Sequence, residues 1–419
     1  MANKNQIKRK KHKRLQRENQ QRLRRRKLDQ EYRASISRVL TALEMPDLFN
    51  QCSKRFRQQF MTFRMRSIRI EPAEGAYIPP RTLRNMHELK NILLQHIKAP
   101  IMPEYSEVSL EDYLTAAAAL VMFTLGDSVN DSISKNALSG LEEFVEYYEN
   151  NGDVEDIITR IIFVIGIRMS RINGSMYYLV KEPVNLWTDD FRTMFCFRVN
   201  RVKAQRMHIT IDNRPRPAYR VGLPVAEKGM KWLKLSPARL GIRCSFSDLP
   251  LDVYIQSHAI MRLSQRLDII MHTEQLLSLY FALKSETVIP LWKNRALVEF
   301  RIKSEKMGYY IVELVQGVIV VRTFLFITNS GCPEGDRLDR ELAIGKLEKE
   351  YTGLDKLSTF VYSDLRDDTS IRKIFDNVGI GYLFDLEPEM FGSEKQKLSG
   401  FAADFRNYIL LEPVKHGDV

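Results

Sequence analysis

Residues 251–270, LDVYIQSHAIMRLSQRLDII, decide how the rest of the chain is read. The first six alternate like a short strand, and Ser257 is placed to cap a helix that follows. Ile260, Leu263, Leu267 and Ile270 recur at helical spacing and predict a buried stripe. His258, Arg262 and Arg266 recur at i, i+4 and i+8, so they share another face and drift by about 40° per step. Such a stripe has two readings. It is either a solvated helix face, balanced by carboxylates such as Asp268, Glu299 or Glu305, or a place where an anion is held.

The sequence after this stretch predicts an antiparallel meander. Residues 295–303, 309–315 and 318–328 read as strands, with turns at 306–308 and at Gln316 and Gly317. In the first strand Ala296, Val298, Phe300 and Ile302 point one way, and Arg295, Glu299, Arg301 and Lys303 the other. The third, VIVVRTFLFIT, is apolar on both faces and reads as a covered central strand. NSGCPEG at 329–335 is a tight loop with no lysine in P-loop spacing. Residues 338–351, 357–364 and 370–378 read as helices.

Before the central stretch, short β-like runs occupy 175–180, 194–202, 207–211 and 218–223, with His208 on a wet face. Residues 34–175 read as mostly helical. Ile36, Leu40 and Leu43 repeat at helical spacing, and Phe49, Phe56, Phe60 and Phe63 interleave with arginines up to residue 70. That interleaving fits an amphipathic helix better than a base-stacking platform. Ser109 and Asp112 have capping-box spacing, opening an apolar helix that runs to 125, and a further helix is expected from 137 to 148. The expected fold is α+β: a basic arm at 1–33, disordered or helical; a helical domain at 34–175; and an antiparallel sheet with packed helices at 176–419, within which 250–330 is a helix plus meander.

Charge is unevenly placed. Of the net +12, residues 1–33 supply 14 Lys/Arg against three acids, whereas the other 386 residues hold 50 basic and 49 acidic side chains. Lys8, Arg9, Lys10, Lys11, Lys13 and Arg14 form one cluster, and Arg22, Arg24, Arg25, Arg26 and Lys27 a second. Clusters of this kind suit sequence-independent contact with nucleic acid phosphates, DNA or RNA; the plainer reading is a solubilising tail. Four scattered cysteines and seven scattered histidines give neither a zinc motif nor a disulfide framework, so no metal or cofactor is expected. No apolar run is long enough to span a bilayer, which points to a cytoplasmic protein without membrane contact. There is no HExxH, GxSxG or GxGxxG, and the acidic pairs Asp189-Asp190 and Asp367-Asp368 lie in turn-prone surroundings.

HAIMRLSQR ahead of an antiparallel sheet resembles the layout of the RelE/barnase-like ribonuclease-toxin superfamily, over about residues 250–330. The resemblance implies metal-independent RNA cleavage, with His258 as acid or base and Arg262 and Arg266 as phosphate ligands. Glu299 and Arg301 would join the site if the wet sheet face meets the helix stripe. The other function expected of this chain is a non-catalytic adaptor, with its helical half on a protein partner and its arm on nucleic acid.

Overall fold

The structure, a computed structural model, describes residues 2–43, 45–51, 54, 57, 66–99, 108–116, 152–183, 193–284, 287–292, 294–302 and 304–391. Phe56, Phe60, Phe63, the helices expected beyond residue 116 up to 150, the pair Asp189-Asp190 and the apolar patch at 408–411 lie outside the described residues. The chain divides into two compact units. One comprises Met1–Met169 with Tyr178–Arg201, the other Ser170–Tyr177 with Val202–Val419.

In the first unit the arm is helical. Helix α1 (Ala2–Ala42) carries it without a break into the following segment. Arg22, Arg24, Arg25, Arg26 and Lys27 are exposed along it, while the side chains of Lys8, Arg9, Lys10, Lys11, Lys13 and Arg14 lie outside the described residues. Its last turns have an apolar face, where Tyr32, Ile36, Val39 and Leu40 are buried. There Arg38 clamps Asp112, with Nε to Oδ2 at 2.8 Å and Nη2 to Oδ1 at 2.5 Å. The Ser109 hydroxyl accepts from the Asp112 backbone N–H at 3.1 Å, as a cap should, but the Asp112 carboxylate serves Arg38 instead.

One expectation fails in this unit. Residues 66–70 are not helical: β1 (Arg66–Pro72) pairs in parallel with Thr193–Lys203, so Ile68 faces Phe195 and Ile70 faces Phe197. Ile68 and Ile70 alternate with Ser67, Arg69 and Glu71, a period-two pattern that the arginine-rich run before it hid. The two compact units do not divide at residue 175. Helices α2 (Pro80–His96) and α3 (Gly152–Met169) precede β2 (Ser175–Glu182) and β3 (Thr193–Lys203), and the sheet order is β1-β3-β2. The partner supplied by β1 draws residues 178–201 into the first unit.

The second unit is built on an eight-stranded sheet. Its strands are β4 (Arg206–Ile211), β5 (Arg214–Arg220), β8 (Lys234–Leu235), β9 (Leu251–Gln256), β10 (Val288–Leu291), β11 (Arg295–Ile302), β12 (Glu305–Val315) and β13 (Val318–Phe326). β6 (Gly222–Val225) and β7 (Gly229–Trp232) make a separate hairpin. The order is β10-β11-β12-β13-β9-β5-β4, with β8 also paired to β9. The expected meander is present in β11-β12-β13, but the sheet is mixed rather than antiparallel. β9 lies parallel to β13 through the pairs Val253 with Ile319, Tyr254 with Val320 and Ile255 with Val321. Two helices, α4 (Ser257–Arg266) and α5 (His272–Ala282), separate β9 from the meander, and such a connection lets the chain return running the same way.

The central stretch thus folds as a strand-to-helix junction. Ile260, Leu263, Leu267 and Ile270 are buried. Ser257 is not the cap, however; Gln256 holds that position, and no side chain caps the first turn. α4 packs along β13. It begins where β9 stops pairing, while β13 runs on to Phe326.

The wall beyond β13 is tied down at every step. The Asn329 side chain accepts from the Phe326 N–H at 2.7 Å, and the Thr328 hydroxyl donates to the Leu354 carbonyl at 2.6 Å. The Cys332 thiol donates to the Asn329 carbonyl at 2.8 Å, and burial pushes its pKa up to about 12, which makes it a structural thiol. The helix expected over 338–351 is two helices, α6 (Pro333–Leu342) and α7 (Lys346–Tyr351). Ala343 breaks them with φ 51°. Phe360 of α8 (Leu357–Tyr362) stacks against Phe326, and also against Phe375 of α9 (Thr369–Asn377) and Phe384, anchoring the terminal helices to the end of β13. Gly335 is where α6 meets the wall: a Cβ there would lie 1.9 Å from the Asn329 carbonyl oxygen, a backbone atom that cannot swing aside. Gly335→Ala should therefore cost about 2–4 kcal/mol in a urea titration. A loss under about 0.5 kcal/mol would mean that the wall yields freely.

Candidate functional site

The His–Arg–Arg stripe lines a cleft rather than an open face. The cleft has a volume of about 500 Å³, and His258, Arg262 and Arg266 border it from α4. The opposite side is the sheet: Arg216 on β5, Gln256 at the end of β9, Arg295 on β11, and Arg322, Thr323 and Leu325 on β13. Asn329 and Ser330 from the wall, and Lys346 at the start of α7, complete the rim.

Local sheet irregularity puts Arg322 there. Ile311 pairs with Thr323 but Val312 pairs with Val321, so Arg322 is the extra residue of a β-bulge. A bulge redirects the side chain it inserts. Arg322 Nη1 donates to Glu313 at 2.6 Å and its Nη2 to Asp212 at 2.9 Å, and Glu313 also takes Arg295 Nε at 3.3 Å. Arg262 lies 3.9 Å from Glu350. Arg266 is the deepest cation, at 3% exposure, with its Nη1 on the Phe324 carbonyl and its Nε 3.8 Å from Asp355. Burial lowers the Arg266 pKa, and Asp355 opposes that.

Charge accounting gives the cleft its character. Six cations border it, and four carboxylates pair with them: Asp212, Glu313, Glu350 and Asp355. Arg216 and Lys346 have no ion pair among the described residues, which leaves a surplus of two positive charges. His258 feels that surplus. Burial lowers its pKa most, and Arg262, Arg216, Arg266 and Lys346 lower it further. The imidazole is therefore held neutral near pH 7, free to accept a proton.

Glu299 and Arg301 do not border the cleft. Arg301 Nε binds the Glu299 carboxylate, and Lys306 Nζ lies 3.5 Å from Glu299 and 3.0 Å from Glu334. The Tyr309 hydroxyl donates to Glu334 at 3.1 Å. Burial, followed by Glu334, pushes the Tyr309 pKa up to about 12. The reason for the separation is position along the strand. Arg295 is at the cleft end of β11, whereas Glu299 and Arg301 pair with Tyr309 and Lys306 near the hairpin at the other end. There they form a closed polar clamp.

Sequence reasoning missed Arg216, Gln256, Arg295, Arg322 and Lys346. One signal was present: Arg322 is the sole charge in a strand apolar on both faces. No family model, curated protein or solved structure matches this chain. Among the described residues, no helix is long and apolar enough to cross a membrane.

Proposed function

We propose that the second unit is a metal-independent endoribonuclease-like module of the toxin type, that its cleft holds an RNA phosphodiester, and that residues 1–33 are a nucleic-acid arm. One observation carries this reading: a histidine held neutral faces a cleft with two cations more than its own carboxylates balance. Guanidinium groups suit the phosphodiester because they never lose their charge and can bind two oxygens at once.

The reaction balances without a metal. Neutral His258 takes the proton of the 2′-hydroxyl, and the 2′-oxygen bonds to phosphorus. The bond from phosphorus to the 5′-oxygen breaks, and that oxygen takes a proton from water. The products are a 2′,3′-cyclic phosphate and a 5′-hydroxyl, and His258 then releases its proton to solvent. The arginines stabilise the charge that builds on the phosphoryl oxygens.

The test is labelled RNA incubated with purified full chain in excess EDTA. Cleavage supports the reading. RNA that is bound and stays whole would assign a non-catalytic adaptor instead, with a protein partner to be sought.

Two further outcomes are expected. Because the base must be neutral, kcat/KM should rise with pH to a plateau, with its midpoint below 6.5, the ordinary histidine value. Arg262→Gln should move that midpoint upward by removing a cation that lowers it. A midpoint above 6.5 in the unaltered chain would contradict the role of His258. For the arm, deleting residues 1–33 removes a net charge of +11 and should flatten the log–log dependence of RNA affinity on salt, since each neutralised phosphate of a single strand contributes a slope of about −0.7. An unchanged slope would place the main contact elsewhere.

A further inference from the structure

Gln256 stands where β9 ends and α4 begins. Its side chain is inside the protein, at 3% exposure, and borders the cleft. Among the described residues its Nε2 has no hydrogen-bond partner. A buried amide donor is rarely left in that state. The same residue is the N-cap of α4, yet neither its own side chain nor any other caps the first turn. The hydroxyl of Ser257, the next residue, donates to the Pro217 carbonyl at 3.5 Å.

The opening N–H groups of a helix have no partner within it, and they lie at its positive end. α4 has ten residues, enough for that end to be defined. The place is also the carboxyl end of the parallel pair β9/β13, the position at which open sheets with parallel strands hold their ligands. Gln256 thus brings a neutral donor to the border of the cleft, and the opening N–H groups of α4 follow it directly in the chain. Both suit a tetrahedral oxyanion.

We propose that the Gln256 carboxamide and the first turn of α4 form a phosphoryl-oxygen subsite, which fixes one non-bridging oxygen of the phosphate while the ester oxygens face His258 and the cations. This deepens the reading of the cleft as a phosphodiester site and rests on it. It adds that a lone phosphate, without sugar or base, is recognised. Gln256 is the residue that separates phosphoryl ligands from carboxylates, because its donor adds a site for a further oxygen beyond the two that a guanidinium fork binds.

The test uses the full chain and inorganic phosphate as the probe, followed by isothermal titration calorimetry. The unaltered chain should bind phosphate saturably, and Gln256→Met, which keeps the length and removes the donor, should weaken it at least tenfold. A second measurement does not depend on the variant folding. Crystals of the unaltered chain soaked in tungstate should show the anion within hydrogen-bonding distance of Gln256 Nε2. Tungstate seated only on Arg216 or Lys346, together with unchanged phosphate affinity in Gln256→Met, would overturn the subsite and leave the phosphodiester reading of the cleft standing. Phosphate bound at Gln256 while RNA stays whole would support the subsite and defeat the cleavage reading. No phosphate binding at all overturns the subsite.

Discussion

His258→Ala should lower the proposed metal-free RNA cleavage by about 10²- to 10⁴-fold, the range expected for loss of a positioned general base. The fold should hardly notice. His258 is half-buried at the mouth of the cleft, and the stripe that anchors α4, Ile260, Leu263 and Leu267, is untouched. The stability change should stay within about 1 kcal/mol. Affinity for RNA should persist, because the cations remain. Single-turnover cleavage beside a thermal melt separates these effects. A variant that cuts at the normal rate would remove His258 from the chemistry, and one that loses activity only because it unfolds would make the histidine structural.

The second large effect lies behind the cleft. Lys349 is completely buried on α7. Its ammonium donates to the Thr328 carbonyl at 2.5 Å and to the Gly335 carbonyl at 3.1 Å, and it pairs with Asp339. Those carbonyls belong to the wall and to the first turn of α6, so one charge ties α6, α7 and the end of β13 together. Lys349→Met keeps the aliphatic stem but leaves Asp339 unpaired and two carbonyls without their donor. Removing one partner of a buried pair costs about 3–5 kcal/mol, and that is the expected loss in denaturant titration. Lys346 and Asn329, which this lysine helps to place, should lose their position at the rim, so phosphate binding should weaken even at temperatures where the variant stays folded. A loss below about 1 kcal/mol would show that the wall stands without Lys349.

The central stretch was legible because its two periods are clean. Val253 and Ile255 alternate, then Ile260, Leu263 and Leu267 follow a helix, and local pattern alone decides both. The meander was legible for the same reason. The mixed character of the sheet was not, because whether β9 runs with or against β13 depends on a connection about sixty residues long and not on either strand. The site was legible only where it lies on one element. His258, Arg262 and Arg266 share a helix face, and their spacing fixes their neighbourhood. Arg216, Arg295 and Arg322 reach the same cleft from three strands, one of them through a bulge, and no spacing in sequence records that. Glu299 and Arg301 show the converse. They alternate correctly with the core but sit too far along β11 to reach the helix, a distance that alternation cannot express. Gln256 is the most instructive omission, since an amide between a strand and a helix reads as an ordinary boundary until its burial is known.

Central to the proposed function is cleavage of RNA through its own 2′-hydroxyl with His258 as the base. The most direct measurement is an oligonucleotide cleavage assay in EDTA comparing an all-ribose strand with one whose sugars are all 2′-deoxy, with the products identified by mass spectrometry. Fragments ending in a 2′,3′-cyclic phosphate are expected from the ribose strand and none from the deoxy strand. Equal cutting of both strands, or fragments without the cyclic phosphate, would contradict it.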